Sequence, residues 1–323
     1  MNEYKMSNYL RSLRNITICL CACAVSPTAL ADYPIPVVSS GTIERLSDLK
    51  ISQIPSRHID VWLPDGYSSE QKYDVLYMHD AAMLFDANIT WNKQEWMVDE
   101  VASTLMKEAK VRPFIVVAIP NGGSKRHVEF FPQTPYERLD DEYKKSLTTL
   151  EYNNAPLFDG EVYSDRYLAF LLKELIPQIE GRYSVNKGPQ HRYLAGSSMG
   201  GLISWYAMMK YPNEFAGAAC ISTHWLGDFG QDDLAFNEFK RYMDERLPAL
   251  EQQKLYFDYG DQTLDQYYPR LQRQIDAVMT KHYGSNSDKK AKWTSNFHQG
   301  ENHSEASWSK RLHEPLLFLF STQ

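Results

Sequence analysis

The chain has 323 residues, 43% of them hydrophobic and 13% aromatic, with a formal net charge of −7. That is enough apolar material for a large core, which excludes a disordered chain. The length suits one large α/β domain, and an acidic balance with no long basic run leaves no footprint for nucleic acid.

The first elements differ from the rest. Lys5, Arg11 and Arg14 make a basic start, and Ile16 to Val25 is an apolar run too short to span a bilayer as a mature helix. "SPTALAD" follows, with Ala29 and Ala31 at the small-residue positions of a cleavage site. Residues 1–31 therefore read as a signal peptide, cut after Ala31. Residues 32–323 form a single exported domain, periplasmic or extracellular. Lipidation at Cys23, from "LCAC", is the alternative that the later "ALA" disfavours. Cys19, Cys21 and Cys23 leave with the leader, so Cys220 remains alone and no internal disulfide forms. No later apolar stretch is long enough to cross a membrane.

Strand-like and helix-like segments then alternate. "RHIDVWLP" (57–64) alternates like a half-exposed strand, while "YDVLYMHD" (73–80) and "FIVVAIPN" (114–121) are continuous runs like buried strands. A helical pattern covers 95–109. Residues 122–160 are irregular and rich in Pro, Tyr and charge, a long excursion that reads as a lid, a pocket wall or a packed surface loop. A helix follows over 164–183, capped by Ser164 and bent or ended at Pro177. After it come "HRYLA", a helix from Met199, "AGAACIS", a helix over 234–247, "KLYFDYG", a helix interrupted at Pro269, "KWTSNFHQG" and a last helix over 304–320. Buried strands alternating with helices imply a mainly parallel central sheet with helices on both faces. Active sites in such sheets lie just beyond the carboxyl ends of the strands.

One of those ends carries "YLAGSSMGG" (193–201). Strand, G-x-S-x-G and helix form a nucleophile elbow, and the glycine frame centres on Ser198 rather than Ser197. Met199 N–H would face the site at the helix start, where negative charge is favoured. A serine needs a base, and the partners in this fold follow in the order Ser, acid, His. His303, in "QGENHSEASW", lies past the last strand and before the last helix. Asp261 and Asp265, both after "KLYFDYG", are equal candidates for the acid by spacing. A second oxyanion donor would come from backbone N–H groups around Ala81 and Ala82.

Several segments resemble the Putative esterase family of α/β-hydrolases, which includes enterochelin esterases, feruloyl esterases, S-formylglutathione hydrolase and mycolyltransferases. They are "LYMHDAAMLFD" (like H-D-G-Q-x-L-F-D), "RHVEFFP" (like R-x-x-E-Y-x-P), "AGSSMGG", "FDYGDQTLD", "GENHSEASW" and "PLLFLF", spread from about Arg57 to Phe320. The resemblance implies an α/β-hydrolase fold and favours Asp265 over Asp261. It places the second oxyanion donor at the N–H of Ala82, where Ala81 and Ala82 replace the family's Gly and Gln. Arg126 and Glu129 match the family's pair and read as a structural ion pair. Trp91, Asp80, His224 and Trp225 are the candidate pocket residues.

The reading is an exported serine esterase using Ser198, His303 and Asp265. Its substrate would be a small-molecule or carbohydrate ester: sugar-linked, hydroxycinnamoyl or siderophore-type. Alternatives are an acyltransferase built on the same acyl-enzyme, and a non-catalytic binding protein. Neither H-E-x-x-H nor a Cys/His cluster occurs, so no metal and no cofactor is implied.

Overall fold

Among the described residues ten strands form in chain order: β1 (Thr42–Leu46), β2 (Ile59–Leu63), β3 (Asp74–His79), β4 (Phe114–Ile119), β5 (Glu151–Tyr152), β6 (Ala155–Pro156), β7 (Arg192–Ser197), β8 (Gly217–Ile221), β9 (Lys254–Tyr259) and β10 (Trp293–Phe297). Eight of them make one sheet in the order β1-β2-β4-β3-β7-β8-β9-β10. β1 and β2 run antiparallel to their neighbours, and the other six pair in parallel. The computed structural model describes residues 33–152, 154–229, 232–250, 252–285 and 292–322. The expected signal peptide and Cys23 lie outside these residues.

Separate apolar clusters cover the two faces. Trp205, Tyr206, Phe239, Leu271 and Ile275 belong to one; Leu105, Trp308, Leu316 and Phe320 belong to the other. The helix Met199–Lys210 is buried on nearly every side and so lacks an amphipathic pattern. Cys220 sits fully buried in β8, between β7 and β9, where burial pushes its thiol well above the usual range.

Five details depart from the sequence expectations. β1 was not foreseen, and β2 is buried rather than half-exposed, because Asp60 is paired with Arg45 at 2.7 Å instead of facing water. Pro177 does not end its helix: a π-helical turn, Leu171–Leu175, precedes it and absorbs the ring's clash with the preceding turn. Pro269 lies in the first turn of the helix Tyr268–Tyr283, where its missing N–H costs nothing. The last helix divides into Glu305–Arg311 and His313–Phe320, since Pro315 offers no N–H to the carbonyl four residues back.

The 122–160 excursion is largely folded. It holds the helices Arg126–Phe130, Gln133–Glu137 and Asp141–Leu147 and the β5–β6 hairpin. Phe131, Tyr143, Leu147 and Phe158 join the core from it, while Arg126 reaches the cleft at the strand ends.

Candidate active site

β7 ends in a sharp turn at Ser198, whose φ of 57° and ψ of −123° are unusual for a residue with a side chain. Such a conformation costs about 1–3 kcal/mol and persists only where its surroundings enforce it. Here Ser198 N–H donates to Ile221 O at 3.0 Å, and Ser198 O accepts from His224 N–H at 3.2 Å. The turn also needs Gly196, because a Cβ there would come within 2.6 Å of the Gly200 backbone. Ser198 Oγ is buried and makes no direct hydrogen bond; the Tyr268 phenol is its polar neighbour. Ser197 is the last residue of β7.

The loop after β9 meets the loop after β10. Asp261 and Gln262 N–H groups both donate to Glu301 O at 3.1 Å, and a Cβ at Gly260 would overlap that carbonyl. His303 N–H donates to Thr263 Oγ1 at 2.9 Å. This stitching brings His303 Nδ1 to 2.6 Å from Asp265 Oδ1. His303 Nε2 is buried and without a partner. Asp261 turns elsewhere: its carboxylate accepts from Gly300 N–H at 2.8 Å and from Gln262 Nε2 at 2.9 Å.

Asp265 is fully buried, and its second oxygen accepts from Gly260 N–H and from Ser222 Oγ, each at 2.7 Å. Ser222 Oγ in turn accepts from Trp308 Nε1 and from Arg311 Nη2, each at 3.0 Å. Arg311 forks onto Asp258 at 3.1 Å for each of its two bonds. Burial alone would lower the Arg311 pKa, but Asp258 outweighs it, so the cation is secured. Sequence reasoning missed Ser222 and Arg311. Ser222 did carry a signal, as the residue directly after β8 at the active edge.

Ser198 and His303 line one cleft with Asp80, Ala82, Met83, Trp91, Trp96, Asn121, Arg126 and Trp308 among others. The cleft is open to solvent. Met199 opens its helix and Ala82 lies within the 3₁₀ turn Ala81–Met83, so neither N–H is needed by an α-helical bond. Asp80 begins that turn at φ 63°.

Arg126 and Glu129 do not form the expected ion pair. Arg126 forks onto Asp80, with two bonds of 2.7 Å. Glu129 pairs with the buried Arg57 at 2.8 Å. They leave the same short helix but find different partners, Arg126 at the tip of β3 and Glu129 in the loop before β2. Burial would raise the Asp80 carboxyl, but Arg126 and then Asn121, at 2.6 Å, hold it below its ordinary value.

The remaining expected pocket residues separate. Trp91 lines the cleft and is 44% exposed. Trp225 is fully buried, donates to Gln272 Oε1 at 2.7 Å and packs edge-on against Trp205, so it belongs to the core. His224 is also buried, 2.9 Å from Tyr268 Oη, and burial keeps its ring well below the usual histidine range. The cause is the turn Thr223–Gly227, which folds back beneath the strand ends instead of lining the cleft.

A parallel sheet, a strained serine between strand and helix, and an imidazole–carboxylate pair beside it define an α/β-hydrolase. The chain belongs to the esterase family described as "Putative esterase", whose model matches residues 55–319. It is similar to the "Uncharacterized protein YbbA" of Bacillus subtilis, 25% identical over 172 residues, 53% of this chain and 58% of that protein. The match thus spans little more than half of that relative. An IroE-like serine hydrolase from Shewanella oneidensis has 19% identity and a TM-score of 0.62, covering 86% of this chain and 80% of the other. A feruloyl esterase module from Clostridium thermocellum, complexed with sinapinate, has 19% identity and a TM-score of 0.57, covering 94% and 95%. These two likenesses show the shared fold.

Proposed function

We propose that this protein is an exported serine esterase that cleaves carboxylic esters with an aromatic acyl group, of the hydroxycinnamoyl type. The observation that carries the reading is that Ser198 Oγ and His303 Nε2, both buried and without partners, line the same cleft while Asp265 holds the far side of the imidazole. His303 Nε2 takes the Ser198 proton as Oγ attacks the ester carbonyl. The N–H groups of Met199 and Ala82 receive the oxyanion, and Asp265 stabilises the imidazolium. When the carbon–alkoxide bond breaks, His303 returns the proton to the leaving alcohol. Water, deprotonated by the same nitrogen, then releases the acid and restores Ser198.

The aromatic preference is supported by Trp91, Trp96, Trp308 and Met83 along the cleft, and by the sinapinate complex of the feruloyl esterase module. Fluorophosphonate labelling with a panel of aryl, sugar-acetate and catechol-serine esters tests the reading. Expected are an adduct on Ser198, fastest turnover of the hydroxycinnamoyl ester, and no turnover by Ser198→Ala. A folded protein that takes no adduct would be a binding protein instead. Acylated sugar formed when an acceptor is added would make it an acyltransferase. Export rests on residues 1–31, and N-terminal sequencing of the periplasmic or extracellular protein should begin at Asp32.

A further inference from the structure

A cluster outside the cleft is left electrostatically open. Glu95, Asp99 and Glu100 each present a carboxylate oxygen within 4.8 Å of the others. In each of the three residues one oxygen, Glu95 Oε2, Asp99 Oδ1 and Glu100 Oε2, is shielded from water and has no hydrogen-bond partner. The neighbouring oxygens are, by contrast, well used. Asp99 Oδ2 accepts from the N–H groups of Ser39 and Ser40 at 2.8 and 3.1 Å, and Glu100 Oε1 accepts from Ser39 Oγ at 2.8 Å. Acidic residues in the first turn of the helix Val98–Lys107 would be ordinary there on their own. That account does not cover Asp99, which is 0% exposed yet keeps an unpartnered oxygen, with two other carboxylates beside it.

We propose that Glu95, Asp99 and Glu100 bind a divalent, oxygen-seeking cation, calcium in the first place, which fastens the cleft loop to the body of the fold. Three carboxylates and no nitrogen or sulfur donor suit a hard ion, and this number of charged ligands suits calcium better than magnesium, which keeps most of its water. Metal motifs built on His and Cys do not detect such a set. The ion joins three segments: Glu95 from the loop bearing Trp91 and Trp96, the helix start at Asp99, and Ser39–Ser40 through Asp99. Trp96 packs 5.2 Å from Trp308, which lies 5.0 Å from the His303 ring, so the ion steadies one wall of the cleft.

Metal analysis of the purified chain after CaCl2 loading and gel filtration tests this, with melting curves in CaCl2 and in EDTA. Close to one calcium per chain is expected, with Tm about 5 °C higher in CaCl2. Asp99→Asn should abolish both effects. Terbium, standing in for calcium, should luminesce when tryptophan is excited, because Trp96 adjoins Glu95. If Asp99→Asn does not fold, the half-buried Glu95→Gln and the terbium measurement on the wild type still decide. No bound calcium, equal Tm in CaCl2 and EDTA and no terbium signal would overturn the proposal, leaving carboxylates that share protons.

Discussion

Two of the carboxylates around the cleft, Asp265 behind His303 and Asp80 beside Arg126, have partners that differ in kind. Asp80 is forked directly by a guanidinium and touched by Asn121. Asp265 accepts from a backbone N–H, a hydroxyl and an imidazole, and the Arg311 guanidinium is linked to it by hydrogen bonds through Ser222 rather than by a direct fork. A direct ion pair consumes the field of a carboxylate; neutral donors fix its position and leave the charge available. In the proposed mechanism the wall that would stabilise an imidazolium is built in the second way, and the wall that shapes the cleft in the first.

The largest expected effect is at the proposed nucleophile. Ser198→Ala should lower turnover of an aryl ester by about 10⁵–10⁶-fold, with the fold unchanged by circular dichroism. The contrast between carboxylates comes next. Asp265→Asn should cost about 10⁴-fold in kcat, while Asp261→Asn, which loses only the contacts to Gly300 and Gln262, should stay within about threefold. A large loss in the second variant alone would move the acid to Asp261. Ser222→Ala tests the relay from Arg311. A fall of about tenfold in kcat at constant KM, with a shift of the acidic limb of the pH–rate profile, would show that Ser222 acts through Asp265; a change in Tm alone would make it structural. On the opposite wall, Trp91→Ala should raise KM for a hydroxycinnamoyl ester by about three- to tenfold and leave an acetyl ester almost unaffected.

The smallest effect concerns a third carboxylate, far from both walls in its chemistry. Glu314 is held down to about 2, through His298 first, with Asn296 and Tyr256 adding to this against the cost of burial. Its folded pKa lies below the unfolded one, so its stabilisation is present above about pH 4.5 and disappears as pH falls toward 2. The Tm difference between wild type and Glu314→Gln should therefore shrink over that window. A constant difference would assign the role of Glu314 to packing.

The order of strands, elbow and partners was legible because each signal is local. G-x-S-x-G fixes a turn, and the rule of strand ends directs attention to Ser198 and His303, which line one cleft; the same rule leaves Asp261 and Asp265 level, and only the family resemblance favours Asp265, whose carboxylate meets the His303 ring. What could not be read are contacts made across chain segments. Arg126 and Glu129 look like a helical pair, yet their partners, Asp80 and Arg57, lie more than forty residues away in the chain. Trp225 follows a strand end just as Ser198 does, but a turn closed by Gly227 N–H to His224 O returns it to the core. A helix or strand follows from periodicity; the direction a loop side chain takes depends on which neighbours arrive.

Cys220 has a practical consequence. In protein freed of residues 1–31 it is the sole thiol, and it lies in the sixth strand of eight, walled by β7 and β9. Its thiol stands out of the sheet plane into the apolar layer with Trp225 and Phe257, so a maleimide can reach it only when that layer opens. The rate of its modification in native buffer would therefore measure spontaneous opening of that layer, with no engineered label.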